Sequence, residues 1–157
     1  MNLRLLLLFF STIILGSVYG CSCPNYGAQT SACDSHFVVR VKTNTGIVQD
    51  GNGAVIPEEQ QFMEVDRIKH TLTIQEILHT SEPGLRGVEV GSTFIHFRRV
   101  RLSCGAKLQD NTEYLVAGDV IRGQIRIYSC SFVRKWSELT EAELRGFRGE
   151  FYPNCPQ

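Results

Sequence analysis

Six cysteines, at positions 21, 23, 33, 104, 130 and 155, constrain this chain more than any other feature, because every one of them follows an export signal. The first twenty residues carry one basic side chain, Arg4. An apolar run then extends from Leu5 to Leu15, broken only by Ser11 and Thr12, and ends in Gly16, Ser17, Val18, Tyr19 and Gly20. That order is a secretory signal peptide, and the apolar run is short of the about 20 residues that span a bilayer. Cleavage after Gly20, with Val18 and Gly20 at the two recognition positions, makes 1–20 the signal and 21–157 one domain released to the extracellular space. A bacterial lipoprotein would also begin at a cysteine, but lipid on Cys21 would strand the other five, and Tyr19 is bulky for such a site. In an oxidising compartment six cysteines predict three disulfides, and spacing alone leaves about 15 pairings open. A chain of this length can bury an ordinary core without staples, so the bridges are free to fix one particular surface.

The 16 basic and 16 acidic residues balance, and losing Arg4 with the signal barely changes that. No global field then draws the protein to nucleic acid or to an anionic membrane. Arg98, Arg99 and Arg101 form a local basic spot, read as a solvated strand face or as a contact for a sulfated glycan.

Period-two alternation marks the strands. In "HFVVRVK", Phe37, Val39 and Val41 alternate with Val38, Arg40 and Lys42; in "IKHTLTIQEIL", Ile68, His70, Leu72 and Ile74 share a face; in "STFIHFRRV", Thr93, Ile95 and Phe97 share a side. "EYLVAG" and "QIRIYSCSF" add two short strands separated by "DVIRG", for five in all, the content of a small barrel or sandwich. "PNYGAQTSACDS" is rich in turn formers, and residues 43–61 read as a long exposed loop, a kind of segment that is often functional. Near the end, Thr140 and Glu143 have the spacing of a capping box and Leu139 and Leu144 that of a hydrophobic staple, predicting a helix over 141–147.

Catalytic equipment is not evident. His36, His70, His79 and His96 have no short metal-ligand spacing, and HExxH, GxSxG and phosphate-loop patterns are absent from the sequence. A cysteine held in a disulfide cannot act as a nucleophile. The chain reads as a binding module and not an enzyme, with no cofactor of its own.

A cysteine at the new amino terminus has its own chemistry. The freed α-amine and the carbonyl oxygen of residue 21 can close a five-membered chelate on a metal ion, and a catalytic zinc keeps one position open for such donors. A loose terminus would lose ordering entropy on docking. Residues i and i+2 of an extended segment share a side, so bridges at Cys21 and Cys23 could hold the terminus in advance while Ser22 faces a partner. A plain staple for a fraying end fits the same spacing.

The residues resemble a known family, the tissue inhibitors of metalloproteinases, whose inhibitory domain is a netrin-like module. The likeness spans nearly all of 21–157. It is carried by "CSC" at 21, "CDSHFVVRVK" from Cys33, "SCG" at 103, "YLVAG" at 114, "CSFVRKWSELTEAELRGF" from Cys130, and Cys155. The resemblance implies a mainly β fold, a closed five-stranded barrel of the oligonucleotide/oligosaccharide-binding type with short flanking helices. It implies the disulfides Cys21–Cys104, Cys23–Cys130 and Cys33–Cys155. It further implies a secreted, monomeric inhibitor of matrix-type zinc metalloproteinases. The Cys21 amine and carbonyl would chelate the protease's zinc, and Ser22 would enter its main specificity pocket. Cys21, Ser22, Cys23 and Pro24 would form one half of the inhibitory wedge, with Arg101, Leu102, Ser103 and Cys104 as the other. The loop from Thr43 to Gln61 would make accessory contacts.

This chain departs from the usual pattern in three places. Pro24 follows Cys23 directly, where relatives place one residue between them. Arg101 and Leu102 precede Ser103, where relatives carry a small residue and a valine, so a different set of proteases is expected. The sequence closes two residues after Cys155, and partners held by the second domain of vertebrate members are not expected. A non-inhibitory netrin-like module that binds a receptor, growth factor or matrix glycan would share fold and bridges. A nucleic-acid binder on the same barrel fails on secretion, neutrality and paired cysteines.

Overall fold

The computed structural model describes residues 23, 27–50, 52–57, 67–99 and 105–156. The elements are α1 (Ala28–Cys33), β1 (Phe37–Thr43), β2 (Ile47–Gln49), β3 (Arg67–Thr80), β4 (Thr93–Arg99), β5 (Glu113–Ile121), β6 (Gln124–Arg126), β7 (Val133–Lys135) and α2 (Glu141–Arg145). The chain is mainly β, and every described ladder is antiparallel.

The long strand β3 organises the sheet. Leu72–Thr80 pairs with β1, while its first half pairs with β4 on one edge and β2 on the other. β1 then pairs with β5, and β5 with β7. Five strands therefore lie side by side as β4-β3-β1-β5-β7, with β2 continuing the β1 edge and β6 folding back on the end of β5. Irregularities between Val38 and Val39 and between Arg40 and Val41 help curl this sheet, since a bulge bends a strand and raises its twist. Among the described residues no ladder joins β4 to β7. What is seen is a curled half-barrel and not the closed barrel expected.

Both faces of β1 are buried, which explains why Val38 interrupts the alternation. Phe37, Val39 and Val41 pack inside the curl with Leu72, Ile74, Phe94, Tyr114 and Val116. Val38 looks outward with Leu115 and Ala117, and that side is covered by Ala32 of α1 and by Phe147. The covering layer depends on the helix predicted at 141. Thr140 Oγ1 accepts from the Glu143 N–H at 3.2 Å, and the Glu143 carboxylate accepts from the Thr140 N–H at 3.0 Å, so the capping box is present. The Thr140 N–H is also the first cause that holds the Glu143 carboxyl below its ordinary range. Leu139 and Leu144 both pack on the outer cluster. Thr140→Ala is expected to lower stability by about 1 kcal/mol, read as a lower urea midpoint at unchanged slope; an unchanged midpoint would show the cap to be idle.

Several expectations need correction. The α-helix ends at Arg145, and Phe147 lies in a wider π-type turn, Gly146–Glu150. Helix α1 lies within the stretch read as turns; it has six residues, starts at Gly27 without a side-chain cap, and is held by burial of Ala32 and the Cys33–Cys155 bridge. The supposed loop after β1 contains β2, and Ile56 beyond it is buried. Three residues are too few to show a period, and β2 exists because β3 is there to pair with it. "DVI" belongs to β5; the turn is only Arg122 and Gly123, both at positive φ (52° and 73°), as a tight hairpin turn requires. "IYSCS" is mostly turn, so the strand after it is the separate β7, and the described strands number seven in place of five. On β4, Thr93, Ile95 and Phe97 do share a side, but it is the exposed one, and Phe94 and His96 are buried.

Candidate functional site

Cys23 is the one described member of the predicted amino-terminal wedge. It is bonded to Cys130 with Cα atoms 5.3 Å apart. Cys130 sits in a turn between β6 and β7 that is closed at both ends. The Ser131 N–H donates to the Tyr128 carbonyl at 3.1 Å, and the Tyr128 N–H donates to Ser131 Oγ at 2.9 Å. The turn leads directly into β7, whose Val133 is paired with Val116 of the core. A covalent path therefore runs from residue 23 to the half-buried strand β7, which is paired with the fully buried Val116 of β5. Cys21, Ser22 and Pro24 lie outside the described residues, as do Arg101, Leu102, Ser103 and Cys104.

The second predicted half of the wedge is followed at once by a well-anchored loop, 105–112. Gly105 opens it at φ 105°, a conformation costly for any residue with a Cβ. His96 is buried on β4, and its Nε2 donates to the Ala106 carbonyl at 3.3 Å. The Gln109 N–H donates to the Tyr114 hydroxyl at 2.8 Å, and Thr43 Oγ1 donates to the Gln109 carbonyl at 2.6 Å. Asp110 Oδ1 accepts from the Gly46 N–H at 2.8 Å and from His70 Nε2 at 2.9 Å. These bonds, the Gly46 amide first, hold the Asp110 carboxyl below the usual carboxylate range. Burial is the main cause that lowers the basicity of His96, with the neighbouring His70 and Arg98 charges adding to it.

His70 and His96 stand directly opposite each other across β3 and β4, so one buried row ties both strands to the loop that follows residue 104. The sequence showed His70 on the inward face of a strand. It gave no sign of the partner, because Asp110 is 40 residues away and only the fold joins them. Tyr114 was likewise legible as a strand residue and not as a loop anchor, while Thr43, read as the start of the loop, is in fact the last residue of β1. The other two histidines are also accounted for: His36 Nδ1 accepts from the Val120 N–H at 3.2 Å, and His79 stacks on Tyr152 at 3.5 Å. Among the described residues no group of three His, Cys, Asp or Glu could hold a metal, and no helix is long and apolar enough to cross a membrane. The site as described is a pair of braced flanks: Cys23 bonded into one turn, and the segment after residue 104 tied down by two histidines and two hydroxyl groups.

Two comparisons bear on this arrangement. The chain is 24% identical over 161 residues to Metalloproteinase inhibitor 4 of Rattus norvegicus, an alignment that takes in 98% of this chain and 63% of that relative. The chain thus spans less than two thirds of the relative's length. The model of the family "Tissue inhibitor of metalloproteinase" matches residues 19–156, and with nearly the whole sequence covered the chain belongs to that family, whose members are protease inhibitors and not enzymes.

Proposed function

We propose that the chain is a secreted inhibitor of matrix-type zinc metalloproteinases, acting as a single domain over 21–157 after removal of 1–20. The inhibitory edge consists of Cys21, Ser22, Cys23 and Pro24 beside Arg101, Leu102, Ser103 and Cys104, with a Cys21–Cys104 bridge joining the halves. In this reading the strand order β4-β3-β1-β5-β7 is that of an oligonucleotide/oligosaccharide-binding barrel whose closure joins β4 and β7. The observation that carries the reading is the Cys23–Cys130 bond, which anchors the chain two residues from the proposed terminus. An anchored terminus loses less entropy when it docks, so more of its contact energy is expressed as affinity.

The zinc is the protease's own. The donor set of residue 21 fits it: an unprotonated amine nitrogen and a carbonyl oxygen are both ligands that zinc accepts. Ser22 then follows as the first side chain able to enter the enzyme's specificity pocket. The amine must lose its proton before it can donate its lone pair. An α-amine of ordinary basicity titrates at about 7.7–8.0. Protonation removes the ligand, so affinity is expected to weaken as pH falls below that range, approaching tenfold per unit on the acid side. The test is to titrate a panel of matrix-type metalloproteinases with the secreted protein between about pH 6 and 8.5, correcting for each enzyme's own profile. Absence of inhibition across the panel refutes the function, and strong inhibition with a flat profile refutes the chelate.

A further inference from the structure

A cleft of about 270 Å³ opens where the end of α1 meets the end of β5 and the turn before β7. Cys130, whose bridge holds residue 23, is part of its wall. Two of the hydroxyl groups around it already serve the backbone. Ser35 Oγ donates to the Ser31 carbonyl at 2.7 Å, and Ser131 Oγ accepts from the Tyr128 N–H at 2.9 Å. Ser31 itself is only 8% exposed, yet among the described residues its hydroxyl has no hydrogen-bond partner. That oxygen is not sealed from solvent, so it opens on the cleft that the residue lines.

Two carboxylates share the cleft. The Asp119 side chain is 27% exposed, and its Oδ1 accepts one long bond, 3.4 Å, from the His36 N–H. His36 Nδ1 lies 4.0 Å from the same oxygen but accepts from the Val120 N–H, so it brings no proton there. Arg126 stands opposite Asp119 in the ladder, but its guanidinium donates to Gln124 Oε1 at 2.8 Å and makes no ion pair with Asp119. Asp34, exposed at the end of α1, adds a second carboxylate without an ion-pair partner among the described residues. Arg134 stands over the Phe132 ring and is already paired with Glu143. A largely buried carboxylate without a cation and a buried hydroxyl without a partner each cost stability. A ligand that brings positive charge together with N–H donors relieves both.

We propose that this cleft receives an arginine side chain of the protease docked at the inhibitory edge. Asp119 and Asp34 take the guanidinium, Ser31 Oγ accepts one of its N–H groups, and Tyr128 and Phe132 flank the stem. The volume is below the ~300 Å³ at which pockets for whole small molecules begin, and so suits one side chain. Among the described residues no third His, Cys, Asp or Glu joins the two carboxylates, which leaves too few donors for a divalent metal that takes six or more oxygens. A guanidinium carries five N–H donors in one plane and stacks on aromatic faces. Phe132 offers a fixed wall, its ring packed 5.0 Å from that of Phe147, and Tyr128 is half exposed at the mouth. Because Cys130 belongs both to the cleft and to the bridge at residue 23, an occupant of the cleft sits beside the proposed edge. Naming the protease as the source of the arginine rests on the function proposed above; the affinity of the cleft for a guanidinium does not.

The experiment has two arms. In the first, N-acetylarginine amide is titrated into the full secreted chain, isotopically labelled, and followed by NMR. The backbone signals of Ser31, Asp119 and Ser131 are expected to shift with a Kd of about 1–10 mM. Asp119→Asn should weaken binding about tenfold by removing a charge-assisted bond; Asp34→Asn, on the exposed rim, should weaken it about threefold and keeps the test open if the first variant does not fold. No shift at about 50 mM, well above that Kd, overturns the proposal. Equal shifts with the uncharged isostere N-acetylcitrulline amide, or with calcium chloride, overturn the assignment to a guanidinium. In the second arm, the Asp34→Asn/Asp119→Asn variant should raise the inhibition constant about tenfold for at least one protease of the panel, with a smaller difference at ~0.5 M NaCl, where screening is short-ranged. Unchanged constants across the panel overturn the protease as the occupant even where the arginine probe binds. A parent protein that inhibits nothing refutes the proposed function and that occupant together, while the first arm still reads the cleft.

Discussion

One alanine added ahead of Cys21 is expected to raise the inhibition constant for every sensitive metalloproteinase by about 100-fold or more. The extension turns the residue 21 nitrogen into an amide whose lone pair is delocalised, and places the new amine one residue further from the bonded Cys23. Both donors of the proposed chelate are then lost: the nitrogen by its chemistry, the carbonyl because it cannot reach the metal past an extra residue. A strong polar interaction with a charged partner is worth ~1.5–3 kcal/mol, so removing the pair amounts to about two orders of magnitude or more. Carbamylation of the native amine should act in the same direction through the nitrogen alone. The fold should not notice either change, since Cys23 remains bonded to Cys130 and the capped helix beside Phe147 is remote in sequence. Unchanged urea midpoints with abolished inhibition are therefore the expected pair of results. Inhibition that survives the extension would mean that the terminus is a staple and that the protease is met elsewhere.

The parts of the fold legible in the sequence are those in which one short segment carries its own reason. The alternation in the second half of β1 and the first half of β3 marks the inward side of each strand, and the Thr140–Glu143 box is a local bond pattern written in four residues. The parts that were missed depend on distant chain. β2 has no pattern of its own and exists as the partner of Arg67–Lys69. α1 lacks a cap and is held by a cysteine 122 residues away. The direction of β4 was hidden because both of its sides carry large apolar groups. Phe94 and His96 are buried, while Ile95 and Phe97 are exposed on the opposite side. The disulfide partners could not be chosen from spacing. The family likeness supplied all three pairs, and the structure contains Cys23–Cys130 and Cys33–Cys155. As for the proposed inhibitory edge, Cys21, Ser22 and Cys23 stood out because a cysteine at an expected cleavage point has unusual chemistry, whereas Pro24 and Arg101, Leu102, Ser103 and Cys104 came from the family likeness alone; of these only Cys23 lies among the described residues. The bracing of its neighbour, the loop after residue 104, through His70, His96 and Asp110 required the fold.

The two described bridges offer the sharpest separation of stability from function. They span 107 and 122 residues, so the chain-entropy account gives them nearly equal weight, and removing either should cost roughly 2–5 kcal/mol. Their positions differ in consequence. Cys33–Cys155 ties α1 to the end of the chain beside the outer cluster, and its cysteines lie well beyond residue 21 in sequence. Cys23–Cys130 carries the amino-terminal segment itself. The double variant Cys33→Ser/Cys155→Ser is therefore expected to show a lower urea midpoint but nearly native inhibition whenever it is folded. Cys23→Ser/Cys130→Ser should show a comparable fall in midpoint and, in addition, an inhibition constant raised by about 30-fold or more. That extra loss follows from leaving two backbone residues to be ordered on docking, at ~1–2 kcal/mol each, with about tenfold in affinity for every 1.4 kcal/mol. Inhibition should be measured in the cold and without denaturant, where both variants are folded, with the folded fraction read from circular dichroism. If the two variants inhibit equally well, the bond at Cys23 contributes only to stability, and prior anchoring of the terminus is not what makes the edge effective.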